Sequence, residues 1–311
     1  MRIGIDLGGT KIESVLMDDR GAIRARHRVD APRFDYPATV ATLVRIVEAW
    51  DAQAGRRCAV GIGTPGAWEA STRSMKNCNS VWLNGQPLFA DLVRRVGDRV
   101  RIANDADCFA LSEARDGAAA GAHNVFGVIL GTGVGGGIVI GGELLAGANG
   151  IAGEWGHTPL AYLRSDSLAN AAERAREAQL RDRACYCGRA NCVETFLSGP
   201  GLALTHREST GEDASAADIA AREDDASRAT LDLYALQLAR ALAQIVNVID
   251  PDVVVLGGGL SNIARLYDLV PRLWQRYVFS ARVATRLAPA LHGDASGVRG
   301  AAWLWPADYT F

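Results

Sequence analysis

The sequence predicts an α/β protein with two lobes of related topology, because strand and helix patterns alternate along it and one arrangement occurs twice. Each occurrence consists of a strand, a glycine-rich turn with a threonine, and a second strand, with the turns at residues 6–11 and 131–137. A chain of 311 residues allows about two domains of ~150 residues, and 49% hydrophobic residues suffice for two cores. We expect a small lobe at residues 1–118, joined by a C-terminal helix at 296–311, and a large lobe at 119–295.

The charge and composition of the chain exclude several classes of partner. A formal net charge of −2 provides no basic surface for nucleic acid or an anionic membrane. The N-terminal residues enter a strand pattern without a secretory leader, and no apolar run reaches the length of a membrane span. We therefore expect a cytoplasmic protein with no nucleic-acid partner and no membrane partner.

The first strand pattern, at residues 2–7, leads into a turn with two adjacent glycines. Gly8 and Gly9 allow the backbone to approach a phosphate closely, and successive N–H groups in such a turn form a concavity that binds anions. Asp6, at the strand end, is suited to hold Mg²⁺ or its bound waters beside a nucleotide. The same pattern is also common in hairpins with a purely structural role.

A helix pattern at residues 40–50 and a strand pattern at 59–62 come next, followed by a turn at 63–66. Residues 76–85 are rich in amides and contain one large aromatic, a composition that suits hydrogen bonding to a polyol. An ordinary surface loop is the simpler interpretation of this stretch.

Asn104 and Asp105 lie where a strand pattern at residues 99–103 meets a helix pattern at 108–114. Side chains at such a junction point into the crevice outside the strand ends, where open α/β sheets bind their ligands. Asn-Asp pairs are also frequent as helix caps and turns. We take Asp105 as the candidate reactive carboxylate because glycine-rich turns and polar clusters flank it on both sides.

The second half of the chain begins with a strand pattern at residues 125–130, which enters the second glycine-rich turn. Two polar stretches, at 164–183 and 205–228, are predicted to be peripheral, the first as a solvated helical insertion. A long helix pattern at 231–249 stops before Pro251, which cannot continue a helix.

A strand pattern at residues 253–256 enters a third glycine turn, formed by Gly257, Gly258 and Gly259. Three glycines expose bare backbone, which suits contact with an adenine or a ribose. The chain closes with a small-residue helix pattern at 297–305, for which close packing is the simplest role.

Six motifs, in this order, resemble those of the ROK family, which comprises repressors, open reading frames and kinases. They are Asp-Leu-Gly-Gly-Thr-Lys at residues 6–11, Thr-Pro-Gly at 64–66, Asn-Asp at 104–105, Gly-Thr-Gly-Val-Gly-Gly-Gly at 131–137, Gly-Glu-Trp-Gly-His at 153–157 and a cysteine cluster at 185–192. The stretches at 82–87 and 297–306 resemble the bacterial fructokinase (manno/fructokinase) branch of the family. The resemblance covers essentially the whole chain.

The resemblance implies an actin-like, two-lobed sugar kinase fold, in which ribonuclease H-like lobes are duplicated and the large lobe carries a zinc-binding loop. It implies an enzyme that uses ATP and Mg²⁺ to phosphorylate a hexose. We expect a homodimer, with a tetramer as the alternative. D-Fructose, converted to fructose 6-phosphate, is the predicted substrate, with glucose, mannose or N-acetylglucosamine as alternatives within the family.

The matched motifs also imply a role for each site residue. Asp105 is implied to accept the proton of the attacking sugar hydroxyl as general base. The implied sugar ligands are Gly66, Asn79, Asn84, Asn104, Asp105, Glu154, His157 and Glu194. The implied nucleotide ligands are Asp6, Gly8, Gly9, Thr10, Lys11, Thr132, Gly133, Gly257, Gly258 and Gly259. For Glu154 and His157, a capping or buried polar pair is the structural alternative.

The cysteine cluster resembles the zinc loop of the family. By this resemblance Cys185, Cys187 and Cys192 bind Zn²⁺ together with His157, and thiolates with a neutral imidazole suit a closed structural zinc site. Such a metal would hold the loop that carries Glu194 beside His157.

Two features depart from the family pattern. Asn191 stands where the family usually has glycine, and the insertion at residues 158–184 is longer than usual. Asparagine tolerates the left-handed backbone conformation, so the first departure is compatible with the loop.

A sugar-responsive repressor is the alternative from another class, since repressors of the family share the sugar-binding domain and add an N-terminal helix-turn-helix. The phosphate turn begins here at Asp6, which leaves no room before it for that motif. Asp6, Asp105 and the glycine turns favour a kinase over a repressor or a sugar-binding protein without activity.

Overall fold

The computed structural model describes residues 1–306 and 309, and the chain packs as two compact units. The first unit comprises residues 1–121, 137–152 and 291–311, and the second comprises 122–136 and 153–290. The boundaries expected from the sequence, at 118/119 and 295/296, remain a prediction of domain organisation. Among the described residues, no helix combines the length and the apolar character that a bilayer span requires.

Seven strands and three helices lie in the first 121 residues. In chain order they are β1 (Arg2–Leu7), β2 (Lys11–Met17), β3 (Ile23–Asp30), α1 (Tyr36–Ala54), β4 (Ala59–Thr64), β5 (Ala67–Glu69), β6 (Ser74–Lys76), α2 (Leu88–Val96), β7 (Val100–Asn104) and α3 (Asp105–Asp116). The described residues that follow form β8 (Asn124–Leu130), β9 (Val134–Ile140), β10 (Glu143–Leu144), α4 (Ala171–Glu177), α5 (Glu194–Leu197), α6 (Gly199–Thr210), α7 (Ala216–Ala221), α8 (Asp225–Ile249), β11 (Val253–Gly257), α9 (Leu266–Trp274), β12 (Arg286–Pro289) and α10 (Ser296–Trp303).

The first sheet has the strand order β3-β2-β1-β4-β7, in which β1, β2 and β3 are antiparallel and β1, β4 and β7 are parallel. Alternating apolar residues of β1 and β4, such as Ile3, Ile5, Val60 and Ile62, are fully buried in one core with residues of α1 and α2. This alternation follows from the period of two in a strand, which turns every second side chain toward the same face.

The long helices begin and end at residues whose chemistry suits helix caps. The Asp35 carboxylate accepts the Ala38 N–H at 2.9 Å at the start of α1, and Gly55 ends the helix with a left-handed φ of 65°. Asp224 accepts the Ser227 N–H at 2.8 Å and starts α8 six residues earlier than the apolar pattern predicted. Polar caps extend a helix beyond its apolar stripe, which explains the difference.

Helix α10 packs closely within the first unit because glycines remove the side chains at the contacts. A Cβ at Gly4 or Gly61 would overlap the carbonyl groups of α10, and a Cβ at Gly300 would overlap the Cys108 carbonyl of α3. The helix spans Ser296–Trp303, which is shorter than the predicted 296–311. Residues 307, 308, 310 and 311 of that prediction lie outside the described part of the chain.

The second sheet repeats the plan of the first. Its order is β10-β9-β8-β11-β12, so that three strands adjacent in sequence are followed by β11 and β12, which run parallel to β8. The first sheet likewise has three consecutive strands followed by two parallel ones. The predicted α/β fold with duplicated topology is confirmed.

The insertion after residue 158 contains one short helix, α4, and several buried charges. Asp166, Glu177 and Arg183 are 3%, 1% and 5% exposed. Arg240 of α8 is fully buried and forms ion pairs with Asp166 at 2.6 Å and Glu177 at 2.7 Å. The prediction of a solvated insertion was wrong for these residues, because their partners lie on other helices: Arg240 of α8 pairs with Asp166 and Glu177, and Glu208 of α6 pairs with Arg183.

Candidate active site

Asp6 and Asp105 lie at the carboxyl edge of the first sheet. The register pairs Asp6 with Gly63 and Thr64 with Asn104, so the ends of β1, β4 and β7 are level. Burial, and after it the charge of Asp105, raises the pKa of Asp6 to about 6. The level strand ends therefore place Asp6 and Asp105 at the same edge of the first sheet.

Helix α3 begins at Asp105, and Asn104 is its N-cap. The Ala106 N–H donates to Asn104 Oδ1 at 2.7 Å and to Asp105 Oδ1 at 2.8 Å. Asp105 is exposed, and the N-terminus of a helix favours negative charge. The cap and the reactive carboxylate, which were alternatives at the level of sequence, are therefore compatible in one structure.

The first glycine turn, between β1 and β2, is closed by its own backbone. The Gly8 N–H donates to the Lys11 carbonyl at 3.0 Å, and a Cβ at Gly8 would lie 2.8 Å from that oxygen. A Cβ at Gly9 would lie 3.1 Å from Ser80 Oγ. The turn therefore requires small residues at positions 8 and 9. Thr10 and Lys11 of the same turn are exposed to solvent.

The polar loop between β6 and α2 packs against the turn that contains Gly66. A Cβ at Gly66 would lie 2.6 Å from Cys78 Sγ, and the Asn79 N–H donates to the Pro65 carbonyl at 3.2 Å. Burial, followed by the charge of Asp105, raises the pKa of the Cys78 thiol to about 11. The loop therefore packs on the turn that follows β4, whose last residue, Thr64, lies opposite Asn104, and Asn79 within the loop is exposed.

Asn84, a predicted sugar ligand, braces this loop. Its Oδ1 accepts the Cys78 N–H at 2.8 Å, and its Nδ2 donates to the Cys78 carbonyl at 3.2 Å. Both ends of the amide are thus engaged with one backbone position. Asn84 therefore helps to shape the loop, and its role as a sugar ligand stays a prediction, as does that of Asn79.

The second and third glycine turns share one edge of the second sheet. Strands β8 and β11 are parallel neighbours, with Ile129 opposite Gly257, so the turns that follow them are adjacent. Gly258 has a φ of 82°, and a Cβ there would overlap the Leu130 carbonyl. The structure therefore brings the predicted nucleotide residues of the second unit together.

Glu194, the first residue of α5, contacts the second glycine turn directly. The Val134 N–H donates to Glu194 Oε2 at 2.9 Å, and a Cβ at Gly133 would lie 2.6 Å from the same oxygen. The Gly131 N–H closes the turn by donating to the Gly133 carbonyl at 3.0 Å. Thr132 is exposed at the tip of the turn.

Glu154 precedes a short 3₁₀ helix at Trp155–His157 in the second unit. Trp155 Nε1 donates to the Gly135 carbonyl at 3.0 Å, which fixes this segment to the start of β9. Glu154 is exposed and its side chain does not cap the helix. The structure therefore does not form the capping or buried polar pair that was the alternative for Glu154.

The four predicted metal ligands form one group. The ligand atoms of His157, Cys185, Cys187 and Cys192 all lie within 4.8 Å of one another. Cys187 Sγ and Cys192 Sγ are 3.6 Å apart, and Cys185 Sγ is 3.5 Å from His157 Nδ1. In a zinc tetrahedron of sulfur and nitrogen ligands neighbouring donors lie about 3.6–3.8 Å apart, so these two distances and the donor chemistry suit Zn²⁺.

The orientation of His157 separates two roles that the sequence could not distinguish. Nδ1 faces the thiols, whereas Nε2 forms a hydrogen bond of 2.9 Å with the Tyr186 hydroxyl. A metal would therefore occupy Nδ1, and contact with a sugar would have to use Nε2. The Nε2 atom in turn is held by a residue of the cysteine loop.

Arg183 supports the cysteine loop, and no sequence pattern had marked it. Its backbone N–H donates to Asn191 Oδ1 at 2.9 Å, which engages the asparagine side chain at a left-handed φ of 57°. Its guanidinium donates to the Thr195 carbonyl at 2.8 Å, forms an ion pair with Glu208 at 2.6 Å and lies over the Phe196 ring at 4.1 Å. This arginine ties the loop to α5 and α6.

Comparison with known proteins places the chain in a family. A model of the ROK family matches residues 2–308. The chain belongs to the ROK family. It is 39% identical over 307 residues to an N-acetyl-D-glucosamine kinase of Vibrio cholerae, which covers 98% of this chain and 99% of that protein. The family predicted from the motifs is confirmed, whereas the fructokinase branch within it is not.

Solved structures of ROK proteins have the same fold. The crystal structure of a ROK hexokinase from Thermus thermophilus matches with a TM-score of 0.80 and 27% identity, covering 97% of this chain and 96% of that chain. A ROK glucokinase from Streptomyces griseus, in complex with glucose and AMPPNP, matches with a TM-score of 0.73 and 27% identity, covering 97% and 98%. This chain has the mixed α/β, actin-like fold of ROK sugar kinases.

Proposed function

We propose that this protein is an ATP-dependent kinase whose acceptor is N-acetyl-D-glucosamine. The observation that carries the proposal is the 39% identity with the Vibrio cholerae N-acetyl-D-glucosamine kinase across 98% of the chain. This relative favours the alternative substrate of the sequence analysis over D-fructose.

Asp105 is the proposed general base. As the 6-hydroxyl oxygen of the sugar bonds to the γ-phosphorus of ATP, its proton passes to the Asp105 carboxylate and the bond to the β-phosphate oxygen breaks, which releases ADP. Support comes from the exposure of Asp105 at the N-terminus of α3 and from its influence on the pKa of Asp6. Phosphoryl transfer otherwise requires mainly positioning and neutralisation of charge.

Asp6 would hold Mg²⁺ directly or through water when the ion is bound with ATP, and the ion would neutralise phosphate charge. The donor chemistry fits, because Asp6 is a partly buried carboxylate at the same sheet edge as Asp105, and a cation there would offset the burial of its negative charge. The other proposed nucleotide contacts are Gly8, Gly9, Thr10 and Lys11 in the first unit and Thr132, Gly133, Gly257, Gly258 and Gly259 in the second.

The proposed sugar contacts are the residues that the family motifs indicate in each unit, and Asn79, Asn84 and Glu154 among them are exposed. They are Gly66, Asn79, Asn84 and Asn104 in the first unit and Glu154, His157 and Glu194 in the second. Carboxylates and amides accept hydrogen bonds from sugar hydroxyls, and the amide N–H groups of asparagine also donate. A structural Zn²⁺ on His157, Cys185, Cys187 and Cys192 would hold the loop that precedes Glu194, as the distances within that group allow.

A panel of acceptor sugars tests the proposal. We would compare kcat/KM for N-acetyl-D-glucosamine, D-fructose, D-glucose and D-mannose with ATP and Mg²⁺, and identify each product. N-Acetyl-D-glucosamine should be preferred by about ten- to a hundredfold, since a buried polar group without its partner costs about 1–3 kcal/mol. A higher value for D-fructose would reinstate the prediction from the sequence.

Two further outcomes of the panel separate the alternatives. Tight sugar binding without any phosphorylation would favour a sugar-binding regulator over a kinase. Asp105→Asn, purified in the same way, controls for contaminating kinases, because its loss of activity would assign the turnover to this chain. The homodimer stays a prediction, and light scattering on the purified protein tests it.

A further inference from the structure

The carboxylate of Glu194 has two oxygen atoms with different surroundings. Oε2 accepts the Val134 N–H at 2.9 Å and lies where a Cβ of Gly133 would come within 2.6 Å of it. Oε1 has no hydrogen-bond partner among the described residues, and Glu194 is partly exposed. One oxygen is therefore committed to the second glycine turn, and the other can accept a hydrogen bond from a ligand.

Arg183 anchors the backbone next to Glu194. Glu194 begins α5, and the carbonyl of the next residue, Thr195, accepts the Arg183 guanidinium at 2.8 Å. Arg183 is 5% exposed and also pairs with Glu208. Because α5 is anchored in this way, a movement of the Glu194 carboxylate on sugar binding does not simply displace the helix. Instead, the movement is transmitted to the turn through the hydrogen bond at Oε2.

We propose that Glu194 is a positioning residue for the phosphate turn, which couples sugar binding to nucleotide binding within the second unit. The inference rests on the proposed function, in which Glu194 accepts a sugar hydroxyl. A hydroxyl that donates to Oε1 orders the carboxylate, and the ordered Oε2 then holds Val134 and the adjoining Thr132 and Gly133 in place for the phosphates. Coupling between two ligands is reciprocal, so the nucleotide strengthens sugar binding by the same factor.

The absence of a side chain at Gly133 leaves room for the Glu194 carboxylate. The nearest atoms to a Cβ at this position are Oε2 and Cδ of Glu194, at 2.6 and 3.5 Å, and both belong to the flexible end of a side chain. Gly133→Ala should therefore displace Glu194 and leave the fold intact. A substitution in the nucleotide turn is thus expected to weaken sugar binding even when no nucleotide is present.

The first experiment measures that effect with N-acetyl-D-glucosamine by calorimetry, in the absence of nucleotide. Gly133→Ala should weaken sugar binding at least about fivefold, which is the lower end of typical coupling. Gly131→Ala is the matched control, since the same substitution in the same turn meets no atom within 4 Å. The control should bind the sugar as the wild type does. Equal sugar affinity in both variants would overturn the inference.

The second experiment measures the coupling factor as the ratio of sugar dissociation constants without and with saturating Mg²⁺–AMPPNP. An amide has one acceptor oxygen in place of two, so Glu194→Gln loses the arrangement in which one oxygen accepts the Val134 N–H and the other accepts the sugar hydroxyl. The factor should be about fivefold or more in the wild type and fall toward one in Glu194→Gln. Glu154→Gln is the control and should retain the coupling factor of the wild type. Glu154 is a proposed sugar contact, but among the described residues its side chain makes no hydrogen bond to the turn.

The remaining outcomes also decide the question. Glu194→Gln with weaker sugar binding but full coupling would make Glu194 a sugar ligand alone, and unchanged sugar binding would make it a structural support of the turn alone. Either result overturns the inference while the kinase assignment stands. A wild-type protein that binds and phosphorylates none of the sugars in the panel would instead overturn the proposed function, and the inference with it.

Discussion

The two glycine turns share a local plan, but they acquire their acidic partner in different ways. In the first unit, Asp6 belongs to the strand that enters the turn. The charge of Asp105, the first residue of α3, contributes to the raised pKa of Asp6. In the second unit, the carboxylate at the turn belongs to Glu194, which is 60 residues away from Val134 along the chain. A duplicated topology therefore repeats the backbone of a site, whereas the side chains that complete it can come from different places.

This difference predicts different vulnerabilities. The first turn is built by one sheet, so local substitutions should disturb it. The second turn depends on α5, and α5 depends on the cysteine loop and on Arg183. Distant substitutions should therefore affect the second turn and spare the first.

Removal of the proposed zinc site should have the largest effect. In the Cys192→Ser variant, the protein should lose the metal, much of its own stability and its affinity for the sugar together. The reason is that a structural zinc contributes ~10 kcal/mol or more to the fold around it. Metal analysis and thermal unfolding measure the first two effects, and calorimetry measures the third. Cys58→Ser, a buried cysteine of the first unit outside the metal group, is the control and should keep one zinc per chain. Active wild-type protein without zinc would contradict the prediction.

Removal of the proposed base should have the next largest effect. Asp105→Asn should reduce kcat by about 10²- to 10⁴-fold, because an amide cannot accept the proton of the sugar hydroxyl. The amide oxygen can still accept the Ala106 N–H, so helix α3 and sugar affinity should survive. Turnover close to that of the wild type would reject Asp105 as the base.

Removal of Arg183 should destabilise the protein through the second unit. Arg183→Met leaves the Glu208 carboxylate, 10% exposed, without its ion pair, and breaking a buried pair costs about 3–5 kcal/mol. Chemical denaturation measures the loss, and Glu208→Gln in the same chain should recover part of it.

A surface pair supplies the control for Arg183. Arg207 and Asp213 are 56% and 85% exposed and lie 3.5 Å apart, so Arg207→Met should change stability by less than about 1 kcal/mol. Similar losses for Arg183→Met and Arg207→Met would show that Arg183 does not support α5.

Neutralising Asp6 should have a smaller effect on stability than removing Arg183, and in the opposite direction. Its pKa in the folded protein is raised to about 6 from 3.8, so the fold favours the protonated form, and its contribution to stability is lost as pH rises through 6. Asp6→Asn should therefore be more stable than the wild type at pH 7 by up to about 3 kcal/mol, at about 1.4 kcal/mol per pKa unit.

The pH dependence tests the cause of that difference. In unfolding measurements without nucleotide or Mg²⁺, the advantage of Asp6→Asn should shrink as the pH approaches 4. The variant should also lose turnover, since the proposed contact with Mg²⁺ is weakened. A constant difference between pH 4 and pH 7 would show that the charge of Asp6 is not its source.

The sequence by itself determined the features that depend on neighbouring residues. Gly8 was marked by its adjacent glycine, and a turn closed at 3.0 Å on the Lys11 carbonyl needs such a residue. Asp105 was marked by a change from strand to helix pattern, and the three cysteines by their spacing within residues 185–192. The duplicated topology was visible for the same reason, because each glycine turn and its two strands are contiguous in the chain.

Only the tertiary structure decided which charged and polar side chains are buried and what they contact. Asp166, Glu177 and Arg183 lie in a stretch whose composition indicates solvent exposure, yet α8 and α6 supply their partners. Asn84 lies among candidate sugar ligands, yet it braces its own loop. The hydrogen bond from Val134 to Glu194 crosses 60 residues, and no local pattern specifies it. The physical reason is that the free energy of a charge depends on its partner and its burial, and both are set by chain segments that meet only in the folded protein.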